Sequence, residues 1–215
     1  MAEGTFFLTN VPDITDVRLM SELLVSLGMT VRSVDTNSLE ITNPGNLTAE
    51  APYELVEKMR ASIVVLGPLL ARYGKARVAL PGGDDFGPRP IDMHLRGLEM
   101  LGAKFASEHG YIDGHCERLR GSRIVLEFPS VGATENIMMA AVLADGTTII
   151  ENAAREPEIA DLASFLNRMG SSVLGAGTST IVIEGVEKLE AVEHAVVPDR
   201  IEAATYLAAV GIAGG

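Results

Sequence analysis

The pentapeptide Leu101-Gly102-Ala103-Lys104-Phe105 decides the fold, because the chain contains two further versions of it. These are Leu27-Gly28-Met29-Thr30-Val31 and Met169-Gly170-Ser171-Ser172-Val173. The three glycines lie at intervals of 74 and 68 residues, and each follows a stretch with apolar residues at helical spacing. A glycine is favoured just after a helix, where the backbone takes a positive φ. The spacing therefore predicts one supersecondary unit used three times.

Each repeat has the same predicted order of strand, helix, strand, helix and two strands. In the third repeat the first four elements are residues 123–128, 130–144, 147–152 and 159–169, and the last strand is 180–184. Equivalent elements are predicted in the second repeat at 53–73, 76–80, 91–101 and 111–113, and in the first at 5–11, 14–27 and 38–42. The fold class is therefore α/β, built from three βαβαββ units.

The first repeat begins in the middle of its unit. Ala2-Glu3-Gly4 matches Ala144-Asp145-Gly146, which ends the first helix of the third unit. Residues 193–198 and 200–213 have the strand and helix patterns that the first unit lacks. We expect residues 1–197 to form one domain. The helix in 198–215 is expected either to close the first unit, within one chain or swapped in a homodimer, or to belong to a second domain of a longer protein.

Composition argues against several classes of protein. Seventeen Lys and Arg residues against 29 Asp and Glu residues give a net charge of −12, which disfavours binding to nucleic acid and to anionic membranes. Cys116 is the single cysteine, so no intrachain disulfide is possible. The sequence shows neither a signal peptide nor a long apolar span, and it has no metal-ligand spacing. A cytoplasmic protein without a metal or cofactor is expected.

The segment Leu80-Pro81-Gly82-Gly83-Asp84-Asp85-Phe86-Gly87-Pro88-Arg89-Pro90 is the most unusual stretch of the chain. Its glycines and prolines predict a loop between a strand and a helix, which is a frequent place for function. Asp84 is a candidate acid, and Arg89 is a candidate anion ligand through its planar fork. The alternative is a solvated turn without a function.

Two further places are candidates for binding. In Pro129-Ser130-Val131-Gly132-Ala133-Thr134, a Ser and a Gly at a helix start offer backbone N–H groups suited to phosphate. The alternative there is an ordinary Ser N-cap. Arg60 lies in an apolar segment, so it either extends to the surface or faces a polar cleft.

Six segments together carry a resemblance to a known family. They are Lys58-Met59-Arg60-Ala61-Ser62, Leu66-Gly67-Pro68-Leu69-Leu70-Ala71-Arg72, Leu80-Pro81-Gly82-Gly83, Gly87-Pro88-Arg89-Pro90, Ser130-Val131-Gly132-Ala133-Thr134 and Glu151-Asn152-Ala153-Ala154-Arg155-Glu156-Pro157-Glu158. These segments resemble the UDP-N-acetylglucosamine enolpyruvyl transferases, the 1-carboxyvinyltransferases of the first committed step in bacterial peptidoglycan synthesis. That resemblance implies two similar domains, each an inside-out α/β barrel, or prism, of three βαβαββ units. This chain would be the loop-bearing domain and a short piece of the other, and hence a partial enzyme.

The resemblance also implies roles for individual residues. Arg89 would contact the phosphate of phosphoenolpyruvate and the sugar nucleotide, and Arg60 would be a second arginine of the site. Asp84 takes the place of a mobile-loop cysteine that acts in proton transfer and is the target of fosfomycin, so resistance to that antibiotic is expected. The remaining implied contacts are the segment around the uracil (Pro90, Ile91, Asp92, Met93) and the diphosphate-binding turn (Ser130, Val131, Gly132).

The chain also departs from the family pattern. The family's Lys-Asn pair and the aspartate and arginine of its second domain have no match here, and Phe128 stands where some relatives have lysine. Two other functions therefore stay open. One is the related transferase of the shikimate pathway, and the other is a non-catalytic UDP-sugar-binding domain or inert fragment. By resemblance the enzyme would serve cell-wall biogenesis, and with it cell shape and division.

Overall fold

A computed structural model describes residues 2–82 and 90–214 of the chain. Twelve strands in these residues form three four-stranded sheets, in the orders β12-β1-β3-β2, β4-β5-β7-β6 and β10-β11-β9-β8. The strands are β1 (Gly4–Thr9), β2 (Thr30–Asp35), β3 (Ser38–Asn43), β4 (Glu50–Ala51), β5 (Lys75–Ala79), β6 (Lys104–Glu108), β7 (Tyr111–His115), β8 (Arg123–Val125), β9 (Thr147–Glu151), β10 (Ser172–Leu174), β11 (Thr180–Glu184) and β12 (Glu193–Ala195).

The three sheets share one topology, which confirms the predicted repeat. In each sheet one parallel pair is followed by two antiparallel pairs; in the third unit these are β8 with β9, then β9 with β11 and β11 with β10. The strand expected from residues 193–198 is present as β12. It pairs in parallel with β1, placing His194 opposite Leu8, so the last strand of the chain completes the first sheet.

The helices are α1 (Thr15–Ser26), α2 (Tyr53–Val56), α3 (Leu66–Tyr73), α4 (Asp92–Met100), α5 (Val131–Ala141), α6 (Pro157–Arg168) and α7 (Arg200–Ala213), with a 3₁₀ segment (Arg60–Val65) between α2 and α3. The repeated glycines Gly28, Gly102 and Gly170 follow α1, α4 and α6 with φ of 108°, 101° and 101°. These positive φ angles confirm the predicted helix ends.

Helix α5 lies at the centre of the core. Most of its side chains are fully buried, including Ile137 and Met138, and it packs against α3, α4 and α6. Two glycines allow this close approach. A Cβ atom at Gly97 of α4 would overlap Ile137, and one at Gly67 of α3 would overlap the backbone and side chain of Asn136. The sheets therefore surround a helical interior, as the inside-out barrel requires.

The single helix predicted for residues 53–73 is wrong. The structure divides this segment into α2, the 3₁₀ segment and α3, with extended backbone at Met59. The Ser62 hydroxyl donates to the carbonyls of Val56 and Met59 across the break, in competition with helical bonds. Pro68 favours a new helix start as well, because it is tolerated only in the first turn, where its missing N–H is not needed.

Helix α7 has its predicted bounds, but within this chain it does not pack into the first unit as expected. None of its residues is buried, and Leu207 and Ile212 are 71% and 89% exposed. The observed link to the domain is at its first residue, where Arg200 forms an ion pair with Glu158 of α6 at 2.8 Å. Closure of the first sheet therefore depends on β12 and not on the helix.

The strand β12 is fixed to the third unit by side chains. The Nε2 atom of the buried His194 lies 3.0 Å from Oδ1 of Asp161 on α6, and its ring lies 4.8 Å from that of Phe165. The Asn10 side chain donates to the carbonyl of Val196 at 2.7 Å. These contacts join the first sheet to helix α6 of the third unit and hold the residues before α7 in place.

Deleting residues 198–215 is therefore expected to lower the free energy of unfolding by less than about 1 kcal/mol, because the deletion removes an exposed ion pair and no buried side chain. Urea denaturation and sedimentation of the full and shortened chains test this. A large loss of stability, or a dimer that dissociates on deletion, would instead support a helix swapped between copies.

Candidate functional site

A cleft of about 650 Å³ opens at the N-terminal end of α5. Its walls come from the 3₁₀ segment with the residues before it, from the start of α4 and from the first turn of α5. Asp16 of α1 adds an acidic group. The lining residues are Asp16, Lys58, Met59, Arg60, Ala61, Ile63, Val64, Pro90, Met93, His94, Phe128, Ser130, Gly132 and Glu135.

The first turn of α5 presents hydrogen-bond donors to this cleft. Ser130 is the N-cap, and its hydroxyl accepts from the N–H of Ala133 at 3.3 Å. Thr134 N–H bonds to the Ser130 carbonyl, whereas in the described part of the chain the N–H groups of Val131 and Gly132 have no acceptor. Free N–H groups and the helix dipole together favour a bound anion.

The cleft also contains two positively charged side chains. Lys58 and Arg60 both line the cleft, and Arg60 is half-buried at the first residue of the 3₁₀ segment. Of the two alternatives predicted for Arg60, the structure therefore shows the polar cleft. A guanidinium that lines the same cleft as the start of a helix is suited to binding phosphate or carboxylate.

The side-chain amide of the fully buried Asn136 holds the walls together. Its Oδ1 accepts from the N–H of Gly67 at 2.7 Å, and its Nδ2 donates to the carbonyl of Ile63 at 3.1 Å. The same Nδ2 lies 3.1 Å from Nδ1 of His94. One amide on α5 thus positions the 3₁₀ segment, α3 and α4 relative to the anion-binding turn.

Two ionisable side chains of the cleft have shifted pKa values. Burial, followed by the nearby Arg60 charge, lowers the pKa of His94 from 6.5 to about 4, although Asp92 opposes the shift. Burial, followed by repulsion from Glu158, raises the pKa of Glu135 from 4.5 to about 7. At neutral pH the imidazole is therefore uncharged, and the Glu135 carboxyl is close to half protonated.

The cleft brings together part of the predicted site. Arg60, Pro90, Met93, Ser130 and Gly132 line it. The other predicted residues are not among the lining residues: Ile91 precedes α4, Asp92 lies 3.7 Å from Arg96, and Val131 begins α5 between the lining residues Ser130 and Gly132. Asp84 and Arg89 lie outside the described residues.

Sequence reasoning missed His94, Glu135 and Asn136. An acid and an amide inside the otherwise apolar sequence of α5 were a signal for a polar partner, because such groups are rarely buried alone. Among residues 2–82 and 90–214, no group of three His, Cys, Asp or Glu side chains is placed to hold a metal ion. No helix in these residues combines the length and apolar character needed to cross a membrane.

The chain is similar throughout its length to enolpyruvyl transferases. A profile described as EPSP synthase (3-phosphoshikimate 1-carboxyvinyltransferase) matches residues 1–215. UDP-N-acetylglucosamine 1-carboxyvinyltransferase 2 of Carboxydothermus hydrogenoformans is 57% identical over 95% of the chain and 48% of its own length. UDP-N-acetylglucosamine 1-carboxyvinyltransferase 1 of Caldanaerobacter subterraneus subsp. tengcongensis is 53% identical over 100% of the chain and 51% of its own length. The chain spans about half the length of the curated relatives it matches.

Solved structures share the fold. The enolpyruvyl transferase NikO from Streptomyces tendae superposes with a TM-score of 0.83 at 23% identity, over 96% of this chain and 49% of that one. An EPSP synthase from Acinetobacter baumannii gives a TM-score of 0.72 at 20% identity, over 96% of this chain and 47% of that one. At these identities the likeness establishes the architecture, which is the inside-out prism expected from the sequence.

The two shifted pKa values predict opposite effects of pH on stability. Because the folded pKa of His94 is lowered, its contribution is present above pH 6.5 and is lost as pH falls towards 4. Because the folded pKa of Glu135 is raised, its contribution is present below pH 4.5 and is lost as pH rises towards 7. Each amounts to at most about 3 kcal/mol, so the two nearly cancel in the unmodified chain.

Single variants should separate the two contributions. Relative to the unmodified chain, the free energy of unfolding of Glu135→Gln should increase as pH rises from 4.5 to 7. Relative to the unmodified chain, that of His94→Phe should decrease as pH rises from 4 to 6.5. Urea denaturation at several pH values measures both slopes. Parallel pH profiles for all three proteins would contradict the assignment of these groups.

Proposed function

The chain belongs to the EPSP synthase family of enolpyruvyl transferases, and on that premise we propose that it is the loop-bearing domain of a UDP-N-acetylglucosamine 1-carboxyvinyltransferase. Residues 1–197 would be this domain, and 198–215 would be the start of the second domain or would close the first unit of a second copy. The observation that carries the proposal is the 53–57% identity to relatives of that name over 95–100% of the chain.

The reaction would transfer the enolpyruvyl group of phosphoenolpyruvate to the 3′-hydroxyl of UDP-N-acetylglucosamine. The hydroxyl gives up its proton to a base as its oxygen forms a bond to C2 of phosphoenolpyruvate, C3 gains a proton from an acid, and a tetrahedral ketal results. The C2–O bond to phosphate then breaks as C3 loses a proton, which restores the double bond and releases inorganic phosphate. Phosphoenolpyruvate and the sugar nucleotide are both substrates, and this scheme requires no metal or redox cofactor.

The described residues supply an anion-binding surface for this reaction. Ser130, Val131 and Gly132 would hold the diphosphate on free N–H groups at the start of α5. Arg60, which lines the same cleft, would stabilise phosphate charge. Residues 90–93 would surround the uracil, and of these Pro90 and Met93 line the cleft.

The loop residues complete the proposal. Arg89 would contact the phosphate of phosphoenolpyruvate, and Asp84 would exchange a proton with the reacting carbon or oxygen. A carboxylate is a competent general acid or base when its pKa suits the working pH. These roles rest on the resemblance, because Asp84 and Arg89 lie outside the described residues.

Two other functions are distinguishable by experiment. The family profile is described by the shikimate-pathway enzyme, but the relatives at 53–57% identity carry the UDP-sugar name. Activity of the full-length protein with shikimate 3-phosphate and not with UDP-N-acetylglucosamine would reject the proposal. A non-catalytic UDP-sugar binder would bind the sugar nucleotide but show no turnover in the full-length protein.

The 215-residue chain by itself is expected to make no detectable enolpyruvyl product. The matched segments cover about half of the relatives' length, and residues of a catalytic site that act as a unit do not retain proportional activity when some are removed. Phosphate release with both substrates measures this, and the full-length protein is the positive control. Stoichiometric release by the isolated chain would reject the two-domain requirement.

In the full-length protein, Asp84 is expected to prevent inactivation by fosfomycin, and Asp84→Cys is expected to restore it. A thiolate opens the epoxide by forming an S–C bond as the C–O bond breaks, and the oxygen then takes up a proton. A carboxylate is a much weaker nucleophile. Intact-mass spectrometry after fosfomycin treatment detects the adduct, and Asp85→Cys is the matched control. An Asp84→Cys protein that forms no adduct would reject the placement of this residue in the reactive loop.

A further inference from the structure

His94 is a buried donor candidate beside the anion-binding turn. It lies in the first turn of α4 and is only 7% exposed, yet it lines the cleft. A Cβ atom at Gly132 would lie 3.2 Å from Cε1 and 3.5 Å from Nε2 of its ring. The Cε1–Nε2 edge of the imidazole therefore lies against Gly132 in the first turn of α5.

The Asn136 amide fixes which ring nitrogen carries the proton. Gly67 N–H can only donate, so the atom it meets is the amide oxygen; the carbonyl of Ile63 can only accept, so the atom it meets is the amide nitrogen. That nitrogen also faces Nδ1 of His94 at 3.1 Å. Because an amide nitrogen donates and does not accept, Nδ1 must be the unprotonated acceptor, and the neutral ring carries its proton on Nε2.

The Nε2–H group has no acceptor among the described residues, whereas the other ring nitrogen, Nδ1, accepts from Asn136. Because His94 lines the cleft, a ligand bound there can accept a hydrogen bond from this N–H group. The N–H groups of Val131 and Gly132, in the turn beside the ring, also lack an acceptor among the described residues, although the cleft contains the carboxyl groups of Asp16 and Glu135 as well. Unpaired donors in one turn suit the oxygens of a phosphate.

We propose that Asn136 is a positioning residue that holds His94 as a neutral Nε2–H donor to a phosphate group bound at the first turn of α5. The inference deepens the proposed function, on which it rests for the identity of the phosphate as part of a nucleoside diphosphate sugar. A neutral donor keeps its proton throughout the physiological pH range, whereas an unperturbed histidine titrates within it.

The charged groups around the ring come from every wall of the cleft. Arg60 and Lys58 lie on one side, Asp92 lies on the helix of His94, and Glu135 and Asp16 line the cleft from α5 and α1. Burial and Arg60 lower the pKa of His94, which agrees with a neutral ring; the contact with Asn136 selects the tautomer. The positive charge offered to the phosphate is therefore that of Arg60 and Lys58, and His94 contributes a directed hydrogen bond.

The first test needs no ligand. In the chain labelled with ¹⁵N in its histidines, multiple-bond ¹⁵N–¹H correlations at neutral pH report which ring nitrogen is protonated. We expect His94 to be protonated at Nε2 alone, with no titration between pH 6 and 8. The His94→Phe chain lacks these signals and therefore assigns them. A His94 protonated at Nδ1, or one that titrates in this range, would overturn the proposal.

The second test uses binding. Calorimetry with UDP-N-acetylglucosamine and with pyrophosphate should show at least about 10-fold weaker binding for His94→Phe, which keeps a ring and removes the donor. The proposal is overturned if the affinities are equal, or if the unmodified chain binds neither probe. A third outcome separates the two proposals. If the unmodified chain binds pyrophosphate but not the UDP-sugar, and His94→Phe weakens that binding, then His94 is a phosphate donor but the proposed function is rejected.

The third test separates positioning from mere structure. Asn136→Asp keeps the acceptor for Gly67 N–H but places a carboxylate opposite Nδ1, which then retains a proton and raises the pKa of His94. Binding by this variant should survive at low pH, where both ring nitrogens carry protons, and should weaken as pH rises through the raised pKa and Nε2 is left without a proton. Binding by the unmodified chain should lack this dependence. Equal pH profiles in a folded variant would contradict the role of Asn136.

Discussion

The structure depends on one buried amide. Asn136 lies on the central helix and satisfies a backbone donor of α3 and a backbone acceptor of the 3₁₀ segment, while it also contacts a ring nitrogen of α4. Because an unsatisfied buried polar group costs on the order of 1–3 kcal/mol, the three elements are held in one relative arrangement. Arg60, His94 and the start of α5 form the cleft for the same reason.

The repeat explains why the site lies where it does. Three similar units enclose a helical interior, and α5 begins at the edge of that interior. Its first turn therefore borders the cleft instead of being enclosed in the core. Gly67 and Gly97 permit the neighbouring helices to approach α5 closely enough for side chains of three elements to meet there. The close packing that stabilises the core thus also brings the cationic and donor groups together.

The pattern of the sequence was sufficient for the repeat but not for the site. Gly28, Gly102 and Gly170 mark helix ends through local backbone conformation, which a sequence reveals directly. The break in residues 53–73 depends on the Ser62 hydroxyl, and the cleft depends on an amide that contacts residues 42 and more positions away in the chain. Such long-range contacts leave no periodic signal, which is why sequence reasoning missed His94, Glu135 and Asn136. Arg60, Ser130 and Gly132 were candidates because local sequence and resemblance pointed to them.

The central claim is that the first turn of α5 binds the diphosphate of a UDP-sugar. Titration of the ¹⁵N-labelled chain with UDP-N-acetylglucosamine, followed by amide chemical shifts, tests it most directly. The account predicts that the largest changes occur at Val131, Gly132 and Ala133, with smaller changes near Arg60 and His94. Unchanged spectra, or changes confined to another part of the chain such as the cleft beside Cys116, would contradict it.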